Sequence, residues 1–249
     1  MIAIIGGTGI NKMLKLEREE KITTPYGKAK VMRDDNIVLL LRHGEKHNIP
    51  PHKINFRANI YALKMLGVER ILAINSVGSL KEDIPPGSFL IPNDFMEFTK
   101  KREETFYNKR VVHIDLTHPF CPELTNILKE ILDKNKFEYK EGIYICTEGP
   151  RFETKAEIRF YKTLGDVVGM TLYPEVVLAR ELEMCYVSLC NITNYACGIS
   201  KNILTVEEVF ETLKEMEEKI LKIVDDFVNY KFPKRSCICK DAVKLGEIK

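Results

Sequence analysis

Apolar positions along the chain follow two alternating rhythms. Largely apolar runs of strand length fall at residues 2–5, 36–41, 70–74, 144–147 and 186–193. Short runs with no polar face suit strands buried on both sides of a sheet. Between them the period lengthens to that of a helix. Residues 54–66 carry Ile54, Ala58, Tyr61, Ala62 and Met65 on one face and stop at Gly67, a natural helix terminator. Residues 123–135 place Leu124, Ile127, Leu128, Ile131 and Leu132 together, and 154–164 form a third helix closed by Gly165. Pro174 is expected at the first position of another helix, with Glu175 beside the positive dipole end. Residues 205–230 predict a long amphipathic helix with Thr205 as its cap, and the segment "DIPPGS" at 83–88 reads as a turn. Strands and helices alternate with no linker long enough to divide the chain, which predicts a single α/β domain over residues 1–230. Residues 231–249 read as a polar C-terminal tail containing a C-x-C, Cys237 and Cys239.

The pattern also places the chemistry. Polar motifs recur where the predicted strands end: "GGTG", "RHG", "NSVGS", "TEGPRFET", "GMT" and "NITN". In α/β sheets the carboxyl ends of the strands are where ligands bind, so these six motifs are expected on one rim, as one composite site.

Composition narrows the class. The chain has 249 residues and a formal net charge of +2, so no global field favours nucleic acid or a membrane surface. The N-terminus lacks a signal-peptide pattern and no apolar run reaches spanning length, so the expectation is a cytoplasmic protein. Seven cysteines at scattered spacing argue against a secreted disulfide framework. Cys121, Cys146, Cys185, Cys190 and Cys197 fall in or beside apolar segments and read as core thiols. For Cys237 and Cys239 the plain expectation is two exposed thiols; the sharper one is a disulfide of the kind tolerated inside hyperthermophiles, which the abundance of Lys, Glu and Ile would suit.

Several chemistries can be weighed directly. "IIGGTGI" fails the dinucleotide fingerprint, because counting from Gly7 puts Lys12 where the last glycine is required. Its backbone N–H groups and the Thr8 hydroxyl suit a single phosphate instead. "LRHGE" matches the signature stretch of histidine phosphatases, but here it follows a complete earlier strand-and-loop unit rather than opening the fold. His43, His47 and His52 lie across "IPP", which no helix can bring together, and no acidic or thiol ligand accompanies them, so no metal is expected there. Arg42, His43 and the Thr8 loop together read as a phosphate cradle, with charge-assisted bonds of roughly 1.5–3 kcal/mol each.

These motifs add up to a family. "IIGGTGI", "RHGEKHNIPPHKINFRANIYALKMLG", "NSVGSL", "HIDLTHPFCP", "TEGPRFET", "GMTLYPEVVLARE" and "CYVSLCNITNYACG", in that order, resemble the purine nucleoside phosphorylase and methylthioadenosine phosphorylase family over residues 2–221. The resemblance implies a single domain around a mixed, partly barrel-like sheet, assembled as trimers or dimers of trimers. It implies reversible phosphorolysis of a nucleoside, with inorganic phosphate as co-substrate and no metal or other cofactor. The phosphate site carried over is Thr8, Arg42, His43, Asn75, Ser76 and Thr171. Phe152 would pack on the purine, Met170 would lie under the ribose, and His113 would reach toward the 5′ pocket of a neighbouring subunit.

Substrate choice depends on departures within the family. Members resembling methylthioadenosine phosphorylase have Asp where this chain has Asn194, and a second Asp where it has Ala196. A carboxylate would face the O6 and N7 acceptors of a 6-oxopurine, whereas an amide NH₂ can donate to them. Glu153 fits the same base, since it can accept from N1–H, which adenine lacks. Val206 stands where members acting on ordinary nucleosides carry His for the 5′-hydroxyl, and Val209 with Phe210 extends that apolar surface. The expectation is a phosphorylase of S-methyl-5′-thioinosine that also accepts inosine and guanosine, with Asn194, Glu153 and His43 as the catalytic set and a place in purine salvage. The alternative is an S-methyl-5′-thioadenosine phosphorylase.

Overall fold

The computed structural model describes residues 1–6, 16, 18–200 and 203–247. Nine strands form one mixed sheet in the order β2-β3-β4-β1-β5-β8-β7-β6-β9, and β5 also pairs with β9. That last pairing closes β5 (Arg70–Ser79), β8 (Val167–Gly169), β7 (Tyr139–Thr147), β6 (Phe89–Phe98) and β9 (Cys185–Tyr195) into a five-stranded barrel. The remaining strands, β1 (Ile2–Gly6), β4 (Ile37–Leu41), β3 (Gly27–Arg33) and β2 (Arg18–Thr24), extend from β5 as an open wing. The partly barrel-like α/β fold expected from the sequence is the one observed.

The apolar runs become the central strands for the reason their pattern implied. β9 is buried at every position except its last, and β5 at all but Arg70 and Ser76, because helices cover the sheet on both sides. α1 (Phe56–Met65) ends ahead of Gly67, whose φ of +79° is the left-handed conformation a helix terminator needs. α2 (Pro122–Lys134) buries the same five residues its periodicity marked. α3 (Lys155–Tyr161) begins with a full capping box between Thr154 and Glu157. α4 (Glu175–Glu181) starts one residue later than expected, leaving Pro174 at the cap position. α5 (Val206–Val228) has its Thr205 cap, which accepts from the Glu208 amide.

Four strands escaped the pattern. β2 reads REEKITT and buries only Ile22 and Thr24. Its partner β3 buries Ala29 and Val31, so this antiparallel hairpin has one wet face and too much charge to stand out. β6 is interrupted by a bulge between Pro92 and Asp94, and β8 has three residues.

The C-terminal segment requires a correction. After α5 it folds back, forms a 3₁₀ turn at Ile238–Asp241 and a short α6 (Ala242–Gly246), and buries both thiols expected to be exposed, Cys237 at 7% and Cys239 at 1%. The two pack in the same apolar cluster as Cys121, Cys185 and residues of α2, β9 and α5, so apolar surroundings outweigh the local polarity that suggested exposure. Neither is in a disulfide; Cys121, Cys146, Cys185 and Cys190 are buried as expected, and Cys197 is half-buried.

Candidate active site

A cavity of about 640 Å³ opens where β4, β5, β8 and β9 end, and the N-terminal half of α5 forms its far wall. Of the six rim motifs, five contribute to it; the sixth, with Thr8, lies outside the described residues. From the sequence-predicted set it brings together Arg42, His43, Ser76 and Thr171, then Phe152, Glu153 and Met170, then Asn194 and Ala196, and finally Val206 and Val209. Two predicted residues sit elsewhere. Asn75 faces away from Ser76 on β5, as strand alternation demands. It accepts from the Thr171 hydroxyl (3.2 Å) and donates to Ser188 (2.8 Å), so it braces Thr171 from behind. His113 lies in a loop whose backbone N–H donates to the Gly246 carbonyl (2.9 Å), at the C-terminal segment.

The end of the cavity around Arg42 is densely wired. Arg42 is 2% exposed; its Nε and Nη2 grip both carboxylate oxygens of Glu175 (3.1 and 2.7 Å), and its Nη1 donates to the Ile74 carbonyl (2.7 Å). Glu175 is itself fully buried and also accepts from the Tyr186 hydroxyl (2.8 Å). A guanidinium has five N–H groups, and three are engaged here, so two remain for a ligand. Glu175 was not legible as a site partner: its position at the head of a helix suggested only a dipole effect.

His43 follows Arg42 and places Nδ1 2.8 Å from the Ile49 carbonyl. That oxygen can only accept, so the proton sits on Nδ1 and Nε2 is left as an acceptor. Burial pushes the imidazole pKa down to about 4, so the ring is neutral at neutral pH. His47 stacks on it at 4.6 Å between ring centres and meets Phe210 edge-on at 6.1 Å. His47, Ile49 and Pro51 therefore join the site, although the sequence offered them only as loop residues.

The opposite end is built on β9 and the loop before α3. Glu153 is 9% exposed, and the Thr147 hydroxyl donates to its Oε1 (2.6 Å). Burial raises its pKa in spite of that bond. Asn194 Nδ2 donates to the Tyr195 carbonyl (3.0 Å) and its Oδ1 accepts from Thr193 (2.8 Å). Because the Tyr195 oxygen can only accept, this fixes which way the amide points. One hydrogen of the NH₂ remains for a ligand, rather than the two expected. Gly78 makes room for the amide: a Cβ there would come within 3.0 Å of Nδ2. Asn191, unremarked in the sequence, also lines the cavity, and its buried Oδ1 has no hydrogen-bond partner among the described residues.

The far wall is apolar. Val206, Val209, Phe210 and Leu213 follow helical spacing along one face of α5, and Leu204 precedes them. Val206 is 53% and Phe210 44% exposed. Among the described residues no helix is long and apolar enough to cross a membrane.

Comparison with known proteins agrees with this geometry. Residues 1–229 match the family model described as the phosphorylase superfamily. A protein of Methanocaldococcus jannaschii named "Probable S-methyl-5'-thioinosine phosphorylase" is 74% identical over 251 residues, covering all of both chains. A "Probable 6-oxopurine nucleoside phosphorylase" of Dictyoglomus turgidum is 51% identical over 98% of this chain and 96% of its own. Among solved structures, a methylthioadenosine phosphorylase from an antarctic soil metagenomic library superposes with a TM-score of 0.89 at 32% identity, covering 99% of this chain and 92% of that one. This chain belongs to the phosphorylase superfamily, as an enzyme of the nucleoside phosphorylase family that its motifs resembled.

Proposed function

We propose that this chain cleaves S-methyl-5′-thioinosine with inorganic phosphate, giving hypoxanthine and 5-methylthioribose 1-phosphate, and that it also accepts inosine and guanosine. The observation that carries this reading is the placement of Glu153, Asn194 and Ala196 in one cavity with the apolar wall of Val206, Val209 and Phe210. Phosphate binds among the free N–H groups of Arg42, the Ser76 and Thr171 hydroxyls and His43 Nε2, the last accepting from a protonated phosphate oxygen. An oxygen of that phosphate attacks C1′ as the bond to the purine breaks, and its charge offsets the oxocarbenium character that develops on the ribosyl group. Glu153 accepts from purine N1–H, and the remaining Asn194 N–H donates to O6 or N7, stabilising the departing base. Phe152 packs on the purine and Met170 lies beneath the sugar. Thr8 completes the phosphate loop. No metal or other cofactor enters these steps.

The 5′ wall selects the methylthio group. Leaving a hydroxyl without a partner against valine costs roughly 1–3 kcal/mol, whereas a methylthio group gains from burial. The exposure of Val206 and Phe210 in the single chain supports assembly as a homotrimer or a dimer of trimers, with the neighbour's His113 closing the 5′ pocket. The setting that fits is purine salvage in the cytoplasm.

A second reading, phosphorolysis of S-methyl-5′-thioadenosine, draws on the raised pKa of Glu153, since a protonated carboxyl group could donate to adenine N1. The double variant Asn194→Asp/Ala196→Asp separates the two. An oxygen at the Nδ2 position can accept from the 6-amino group of adenine, where the amide nitrogen could only donate. The expected result is a shift of kcat/KM toward the adenine nucleoside by ten-fold or more, about 1.4 kcal/mol. A double variant that keeps the parent preference would sink the base-pocket argument.

A further inference from the structure

At the opposite end of β9 from the cavity, four cysteines from three distant parts of the chain converge. Cys121 caps the N-terminus of α2, Cys185 opens β9, and Cys237 and Cys239 flank Ile238 in the C-terminal segment. Every pair of their sulfurs lies within 4.8 Å, and Cys185 and Cys237 are 3.3 Å apart. All four are buried, and none is in a disulfide. A tetrahedron of thiolates about 2.3 Å from zinc has edges of about 3.8 Å, which matches this spacing.

The surroundings carry a second, independent signal. Arg180, 3% exposed, donates from Nη1 to the Cys239 sulfur (3.2 Å) and from Nη2 to the His118 carbonyl. Among the described residues its hydrogen-bond partners include no carboxylate, so a buried cation stands against sulfur. Arg235 lies against Cys185 and Cys237, and its buried Nε has no hydrogen-bond partner. Arg235 also pairs with Glu69 at 3.7 Å, but four neutral thiols would leave Arg180 facing sulfur with no carboxylate partner among the described residues. Four thiolates around a divalent ion carry a net charge of −2, which the adjoining guanidinium groups offset. Hydrogen bonds from such outer groups to metal-bound sulfur are what a metal site requires around it.

We propose that Cys121, Cys185, Cys237 and Cys239 hold one Zn²⁺ ion in a closed, structural tetrathiolate site. The ion displaces the four thiol protons to water and joins the C-terminal segment to α2 and β9. That segment holds the loop of His113 through the Gly246 carbonyl and a β-bridge between Val112 and Glu247. The site thus fixes a part of the surface remote from the cavity rather than any reacting atom. Four protein ligands fill the tetrahedron and leave no position for substrate, which distinguishes it from a catalytic zinc.

The test is metal content of the full-length protein, purified under reducing conditions and dialysed exhaustively. One zinc per chain is expected, released by a thiol-blocking reagent, and Cys237→Ser and Cys239→Ser should each lose it. Because those variants could fail to fold, the parent protein is also refolded with Co²⁺ in place of Zn²⁺. The expected spectrum is that of tetrahedral cobalt bound by thiolates, with a higher Tm than protein refolded with chelator. Three results would each overturn the proposal. The first is metal-free protein with four free thiols. The second is a mass lower by four hydrogens, which means two disulfides. The third is iron in place of zinc.

Discussion

At one end of the cavity Arg42, Glu175, Tyr186, Asn75, Ser188 and Thr171 are buried and held by hydrogen bonds within the single chain, so these groups are set in place before any ligand arrives. At the other end Val206 and Phe210 stand half open on the first turns of α5, with His47 edge-on to Phe210. On the proposed reading, the first end takes the phosphate common to every substrate, and the second takes the 5′ substituent that varies among nucleosides. The second end is an apolar face that can change by single residues without unmaking a polar network. On that reading, shared chemistry lies in the core of the fold and specificity at its edge.

The comparison can be broken hardest at Glu175. Glu175→Ala leaves the Arg42 guanidinium buried without its carboxylate, a loss of roughly 3–5 kcal/mol. Denaturant unfolding should show most of the stability gone, with little phosphorolysis of any nucleoside. A Glu175→Ala protein as stable as its parent would mean the two ends do not differ as described.

At the open end the effect should be confined to substrate choice. Val206→His is expected to leave the unfolding midpoint within experimental error of the parent. It should raise kcat/KM for inosine relative to S-methyl-5′-thioinosine by roughly 5- to 150-fold, the equivalent of about 1–3 kcal/mol. Equal loss on both substrates would show that Val206 matters for folding rather than for the 5′ group.

The smallest effect is on pH dependence. The folded pKa of His43 is depressed to about 4 from 6.5, so between those values the unfolded chain binds the extra proton and the native ring does not. The contribution to stability is therefore fully present above pH 6.5 and declines as pH falls toward 4. Denaturation midpoints followed across that window should slope upward with pH, and His43→Gln should flatten the slope in part. A slope unchanged in that variant would assign it to other groups, His47 among them, whose pKa burial also lowers.

How much of this was legible depended on where each signal lay. The central strands and the helices α1, α2 and α5 were readable because burial on both faces, or on one helical face, leaves a periodic trace. The β2–β3 hairpin was not, because an edge hairpin wetted on one face can be built from REEKITT. Most of the cavity could be read from polar motifs at strand ends. Asn75 was carried over with Ser76 by resemblance to the family; the two-residue period of a strand puts them on opposite sides. Glu175 and the cysteine cluster were hidden for one reason. Their partners, Arg42 in one case and three scattered thiols in the other, are joined only by tertiary folding.

The central claim is that a 6-oxopurine pocket and a methylthio pocket meet in one cavity. The measurement that tests it most directly is phosphate-dependent base release from S-methyl-5′-thioinosine, inosine, guanosine and S-methyl-5′-thioadenosine, compared as kcat/KM on the same preparation. The account predicts the highest value for S-methyl-5′-thioinosine, with inosine and guanosine behind it. A highest value for S-methyl-5′-thioadenosine would contradict the reading of Asn194 and Glu153, and one for inosine would contradict the reading of Val206.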